Sequence, residues 1–130
     1  MNQVIRDQSY LYFLSEAPEL LQAVEQGLLN LHAGNRLQNV HSLMRATHTL
    51  KGAAANVGLE TIKKIAHTLE DAFKALYKEE VAIDPPLEDL LWSGYECLRL
   101  PLSAELSGTQ IDTTDVEERA ELVFSGLRTK

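Results

Sequence analysis

The chain has 130 residues, 45% of them hydrophobic, and a formal net charge of −7 from 12 basic and 19 acidic side chains. That length and apolar content suffice for one packed core without disulfides or a structural metal, and the acidic balance argues against nucleic acid, whose phosphates demand a clustered excess of Lys and Arg. A lone cysteine, Cys97, excludes a disulfide framework; no apolar run nears the ~18 residues of a membrane helix, and Arg6 and Asp7 break any signal-like start, so a cytoplasmic protein without membrane contact is expected.

Apolar residues recur at steps of three and four along nearly the whole chain, with no strand alternation and no internal repeat, so the fold class is all-α. In the first segment Leu14, Leu21 and Leu28 interleave with Ala17, Val24 and Leu31 to form one stripe for burial. Pro18 should kink this helix or restart it near Ser15, because its ring clashes with the Leu14 carbonyl. His32-Ala33-Gly34-Asn35 closes it. A second helix, about 35–57, carries Val40, Leu43, Thr47, Leu50, Ala54 and Val57 as a bundle seam, and Gly58 stops it. A third, about 59–78, turns Ile62, Ile65, Leu69, Phe73 and Leu76 inward. Asp84 should cap a fourth helix whose first turn holds Pro85 and Pro86 and whose apolar face is Leu87, Leu90, Leu91, Tyr95, Leu98 and Leu102. Pro101 is expected to kink it or end it early. After a polar loop over 107–114, a short last helix buries Val116, Ala120, Val123, Phe124 and Leu127. Short connections make helices two, three and four antiparallel neighbours. The expected architecture is one domain: an up-down four-helix bundle over about 2–106 with a fifth helix at about 113–128.

Chemistry concentrates where helices two and three face each other. With a tight turn at Val57-Gly58, position i stands roughly opposite position 115 minus i, a relation that His48 and His67 satisfy. Each is off the seam of its own helix, at its flank. Lys51 lies one turn after His48 and Glu70 one turn after His67, so two imidazoles, an ammonium and a carboxylate share one solvent-facing patch. A neutral imidazole attacks phosphorus with one nitrogen only if the other holds the proton, and a carboxylate that accepts that N–H fixes the tautomer. Glu70 is the candidate orienter, and Lys51 can offset part of the added charge of about −1.5 to −2. Gly52 keeps the surface beside His48 low for a close-approaching partner. Spacing alone also fits ordinary solvated histidines. His32 reads as a partner of a helix C-terminus, His41 as a plain exposed residue, Lys63 and Lys64 as a solvated face, and Cys97 as a small packing residue.

The stretch 44–58, MRATHTLKGAAANVG, resembles the phosphorylation-site motif of histidine-containing phosphotransfer (HPt) domains, in which the histidine is followed by a hydrophobic residue, Lys and Gly at +2, +3 and +4, here Leu50, Lys51 and Gly52. His67 and Glu70 in HTLEDAFKAL match the second histidine and glutamate of the N-terminal phosphotransfer domain of CheA-type chemotaxis kinases. The resemblance implies that His48 takes a phosphoryl group, at Nε2, from a separate histidine kinase catalytic domain and yields it to an aspartate of a response-regulator receiver domain. It implies that Glu70 and His67 orient and tune the imidazole, that Lys51 contacts phosphate, and that Met44, Arg45 and Lys63 help a partner dock. ATP and magnesium would belong to those partners, so the domain, monomeric when isolated, would hold no cofactor or metal and would not be an enzyme alone. Its parent would be a CheA-like protein-histidine kinase. A stand-alone relay protein and a non-catalytic helical adaptor are the alternatives. A di-iron bundle is disfavoured because it needs paired Glu-x-x-His motifs, and only the reversed His67-x-x-Glu70 occurs.

Overall fold

The computed structural model describes residues 2–32, 36–79, 83–108 and 113–128. Five helices follow in order: α1 (Asn2–Leu29), α2 (Arg36–Asn56), α3 (Glu60–Glu79), α4 (Pro85–Ser107) and α5 (Thr113–Arg128). Helices α1 to α4 close a ring in which each packs on its chain neighbour and α4 returns to α1, while α5 lies outside against α4 and α3. This is the expected all-α bundle with an appended helix. Among the described residues there is no strand, and no helix is long and apolar enough to cross a membrane.

One half of each proline expectation, the break in the helix, is corrected. Helix α1 runs through Pro18 without restarting at Ser15, and α4 runs through Pro101 to Ser107. An interior proline forfeits one backbone bond and costs roughly 3 kcal/mol, but apolar burial lies on both sides of each. Phe13 and Ala17 before Pro18, and Val24 and Leu28 after it, are all buried. Pro101 is itself buried, with Leu98 before it and Leu102 and Ala104 after it. At roughly 1.5–3 kcal/mol for each large buried side chain, packing outweighs the local penalty.

The other signals act locally as their chemistry requires. Asp84 caps α4 by accepting the Leu87 N–H at 2.9 Å. Gly58, at φ 78°, ends the α2 region in the left-handed conformation. There Leu59 N–H reaches back to Ala54 O at 2.9 Å and Gly58 N–H to Ala55 O at 3.2 Å, the paired bonds of a Schellman motif. The seams of α2 and α3 are buried, except that Val57 only packs against the core from its edge. Leu14 and Leu21 are likewise partly covered. Cys97 is buried, and burial pushes its thiol up, as suits a packing residue. His32 joins Glu88 of α4 at 2.5 Å, and the His41 ring lies 5.8 Å from that of Tyr77. Of the expected α5 core, Val116 and Ala120 are buried; Val123, Phe124 and Leu127 lie outside the described side chains, as do the loop assignments at 33–35 and 109–112.

Helices α1 and α2 meet closely at Gly27. A Cβ built there would stand 2.6 Å from both Cγ and Cδ2 of Leu43, a fully buried side chain with nowhere to retreat. Gly27→Ala should therefore destabilise the bundle by about 1–3 kcal/mol despite its better helix propensity, read as a lower urea midpoint with an unchanged slope.

Candidate functional site

Thr47 and Leu50 occupy the α2 seam, and the Thr47 hydroxyl donates to Leu43 O at 2.9 Å within its own helix. His48 and Lys51, one position further on, therefore emerge at the flank of the α2–α3 contact. On α3, Leu69 fills the core and Glu70 follows it at the same flank, but almost wholly covered: its side chain is 3% exposed, against 66% for His48.

Glu70 is the hub. Its Oε2 lies 2.7 Å from Nδ1 of His48, and its Oε1 accepts from Lys51 Nζ at 2.8 Å. Burial acts to raise the carboxyl, but the hydrogen bonds and charges of Lys51 and His48 together outweigh it and hold Glu70 below the ordinary carboxylate range. An ionised carboxylate only accepts, so Nδ1 carries a proton, and in the neutral ring Nε2 is the nitrogen with the free lone pair. The ring is thus fixed in one tautomer and presented to solvent.

His67 is placed differently. Its Nε2 faces Asp71 at 3.6 Å, one turn along α3, and the carboxylate reaching His48 belongs to Glu70. The backbone relation that paired His48 with His67 neglects the lean of every Cβ toward its helix N-terminus. In an antiparallel pair that lean carries α2 side chains away from the turn and α3 side chains toward it, moving the meeting point about two positions along α3.

Around this cluster, an open groove of about 480 Å³ runs between α1 and α2. Ser9, Tyr12, Phe13 and Glu16 form one wall, and His48, Thr49, Gly52, Ala53 and Asn56 the other. A Cβ on Gly52 would meet nothing within 4 Å, so the space beside the imidazole is open. Arg45 is exposed one turn before His48, whereas Met44 is half-buried and packs on the core. Lys63 pairs with Glu60 at 3.5 Å, about two turns from Glu70 toward the α2–α3 connection.

Two contributors escaped sequence reasoning. Lys74 stands with Nζ 3.7 Å from Glu70 Oε2, and its i,i+4 spacing from Glu70 was the available signal. The α1 wall comes from residues far off in the chain, and no local pattern marks it.

Residues 8–108 match the family described as the Hpt domain. Among curated proteins, the chain is 31% identical over 110 residues to the chemotaxis protein CheA of Cereibacter sphaeroides, covering 82% of this chain and 16% of that one. To CheA of Bacillus subtilis it is 30% identical over 115 residues, covering 88% and 17%. To CheA of Borreliella burgdorferi it is 30% identical over 97 residues, covering 74% and 11%. The chain thus spans between about a tenth and a sixth of these relatives' length. A solved structure, the phosphorylated P1 domain of CheA3 in complex with CheY6 from R. sphaeroides, superposes with a TM-score of 0.78 at 26% identity, over 95% of this chain and 98% of that one.

Proposed function

The chain belongs to the Hpt domain family, and from that premise we propose that His48 is the residue that accepts a phosphoryl group and passes it on. The observation that carries the reading is the 2.7 Å contact between His48 Nδ1 and a buried, ionised Glu70, which leaves Nε2 of a largely exposed ring as the nucleophile.

In the acceptor step the Nε2 lone pair attacks the γ-phosphorus of ATP held by a separate kinase domain. The N–P bond forms as the bond to the ADP oxygen breaks, and Nδ1 keeps its proton. The ring gains positive charge, which the Glu70 carboxylate faces and stabilises. In the donor step an aspartate carboxylate of a receiver domain attacks phosphorus, and the N–P electrons return to Nε2. No proton need move in either step, so the site has to orient and stabilise rather than shuttle protons. Lys51 holds Glu70 ionised and, one turn from His48, offsets part of the charge of the bound phosphoryl group.

ATP belongs to the kinase and magnesium to the receiver, so the domain by itself is a carrier rather than an enzyme. The longer relatives, chemotaxis proteins CheA and a sensor histidine kinase CheAY of Helicobacter pylori, support a parent that is a CheA-like histidine kinase, and we place it in the cytoplasm. The solved neighbour is a complex with CheY6, which supports a response-regulator receiver as the partner of this chain. Met44 and Arg45 flank the approach to His48. Lys63, two turns away, would touch only a broad partner. For His67 the reading keeps a lesser role, tuning Glu70's surroundings through Asp71.

The deciding experiment incubates the domain with labelled ATP and the catalytic domain of a CheA relative, then maps the label by mass spectrometry at neutral or alkaline pH. Acid-labile, base-stable phosphate on the peptide bearing His48 is the expected result. Label on His32, His41 or His67, or none with several active kinases, would overturn the assignment and favour a helical adaptor.

Gly52 supplies a second, independent check. Because an added side chain meets open space, Gly52→Gln should fold at least as stably as the parent, gaining up to about 1 kcal/mol of helix propensity. Transfer in both directions should nevertheless slow by about tenfold or more, since the side chain occupies the path to Nε2.

A further inference from the structure

Lys74 shares with His48 a single oxygen of the buried carboxylate. Its Nζ is 3.7 Å from Glu70 Oε2, the atom that accepts the His48 Nδ1–H, whereas Lys51 engages the opposite oxygen at 2.8 Å. The two lysines also sit in different surroundings: Lys51 is 25% exposed and tightly bonded, Lys74 is 52% exposed and held by charge alone. Lys51 by itself would balance the carboxylate and leave the pair neutral. A second ammonium gives the cluster an excess positive charge before His48 takes up any further proton.

We infer that Lys74 is a positioning residue for His48: by claiming part of Glu70 Oε2, it limits how firmly the carboxylate can hold a second proton on the ring, and so keeps Nε2 free to attack phosphorus. The inference rests on the reading of His48 as phosphoacceptor. Without Lys74, Glu70 faces the ring with less competition and the doubly protonated imidazolium is favoured. That form has no lone pair to offer. The groups that face His48 or its carboxylate are Lys51 from α2, Glu70 and Lys74 from α3, and Tyr12 and Glu16 across the α1 groove, while His67 and Asp71 pair with each other one turn apart on α3. A substitution at Lys74 changes only one of them. Because Lys74 is half exposed, solvent screens it, and the displacement should be about half a pH unit, which is about threefold in the ratio of neutral to protonated ring and about twofold in the neutral fraction when the midpoint lies near the working pH.

The test follows the His48 Cε1–H resonance by NMR across pH in the wild type, Lys74→Gln and Lys74→Arg, with the His67 signal assigned separately. The midpoint in Lys74→Gln should rise by about half a unit at low salt, Lys74→Arg should stay with the wild type, and the gap should shrink as salt rises toward about 1 M. Labelling from ATP and a kinase domain should run about twofold slower in Lys74→Gln when the pH is near the ring's midpoint and catch up in alkaline buffer. Coincident titrations of wild type and Lys74→Gln would overturn the inference. Absence of label on the wild type would instead sink the phosphoacceptor reading, and the titrations would still decide whether Lys74 governs the ring.

Discussion

His48→Gln should take up no acid-labile phosphate from any kinase that labels the wild type, while unfolding within about 0.5 kcal/mol of it. The two expectations have one source. The ring is 66% exposed, so little packing depends on it, yet in the proposed function its Nε2 lone pair is the nucleophile. Glutamine is the informative replacement because its amide N–H₂ can still donate to Glu70 Oε2 and keeps a buried acceptor satisfied, which alanine would not. Labelling assays paired with urea unfolding separate the outcomes. Retained label would move the chemistry to another histidine, whereas lost label with a large fall in stability would leave only a structural defect.

Glu70→Gln should cut the rate of phosphoryl uptake by about 10²-fold while leaving His48 able to react. A neutral amide no longer faces the positive charge that develops on the ring. Its oxygen can serve His48 or Lys51 but not both, so the tautomer is no longer dictated. This change should also alter stability, with a definite pH dependence. Glu70 is held below the ordinary carboxylate range in the folded protein, so its ionisation contributes stability above the unfolded-state value. That contribution is lost as pH falls through the folded-state value. Wild type and Glu70→Gln should thus differ most near neutrality and converge in acid, a pattern that urea titrations at successive pH values would reveal. Parallel stability curves across that range would show that the carboxylate is not coupled to folding as described.

The helices were legible because burial imposes a period, and the seams of α2 and α3 read from Val40 to Ala54 and from Ile62 to Leu76 are the ones the core uses. Neither proline ends its helix, because propensity is a local penalty whereas the burial of Ala17, Val24 and Leu102 is collective; nothing near Pro18 or Pro101 in the chain reports what the rest of the bundle contributes. At the site, helical spacing and register bring His48, His67, Lys51 and Glu70 to one patch, and the resemblance implies the same four residues. Side-chain lean decides which carboxylate reaches the ring, and Glu70 is the one that does. Lys74 and the Tyr12–Glu16 wall depend on side-chain reach and on α1 docking against α2, which a one-dimensional reading of α2 and α3 does not contain.

The bond from His48 to Glu70 closes a segment of only 22 residues, and Lys51 and Lys74 belong to the same helical hairpin. Loop-closure entropy grows with the logarithm of length, so a tie this local imposes a small ordering cost compared with one between distant segments. The ties that orient the imidazole are accordingly local to α2 and α3, and no residue of α4 or α5 bonds to His48, Lys51, Glu70 or Lys74 among the described residues. Helix α1 is the outside contributor, because it lines the far wall of the groove beside the imidazole. Substitutions along that wall would reshape the groove while leaving the ties among His48, Lys51, Glu70 and Lys74 in place.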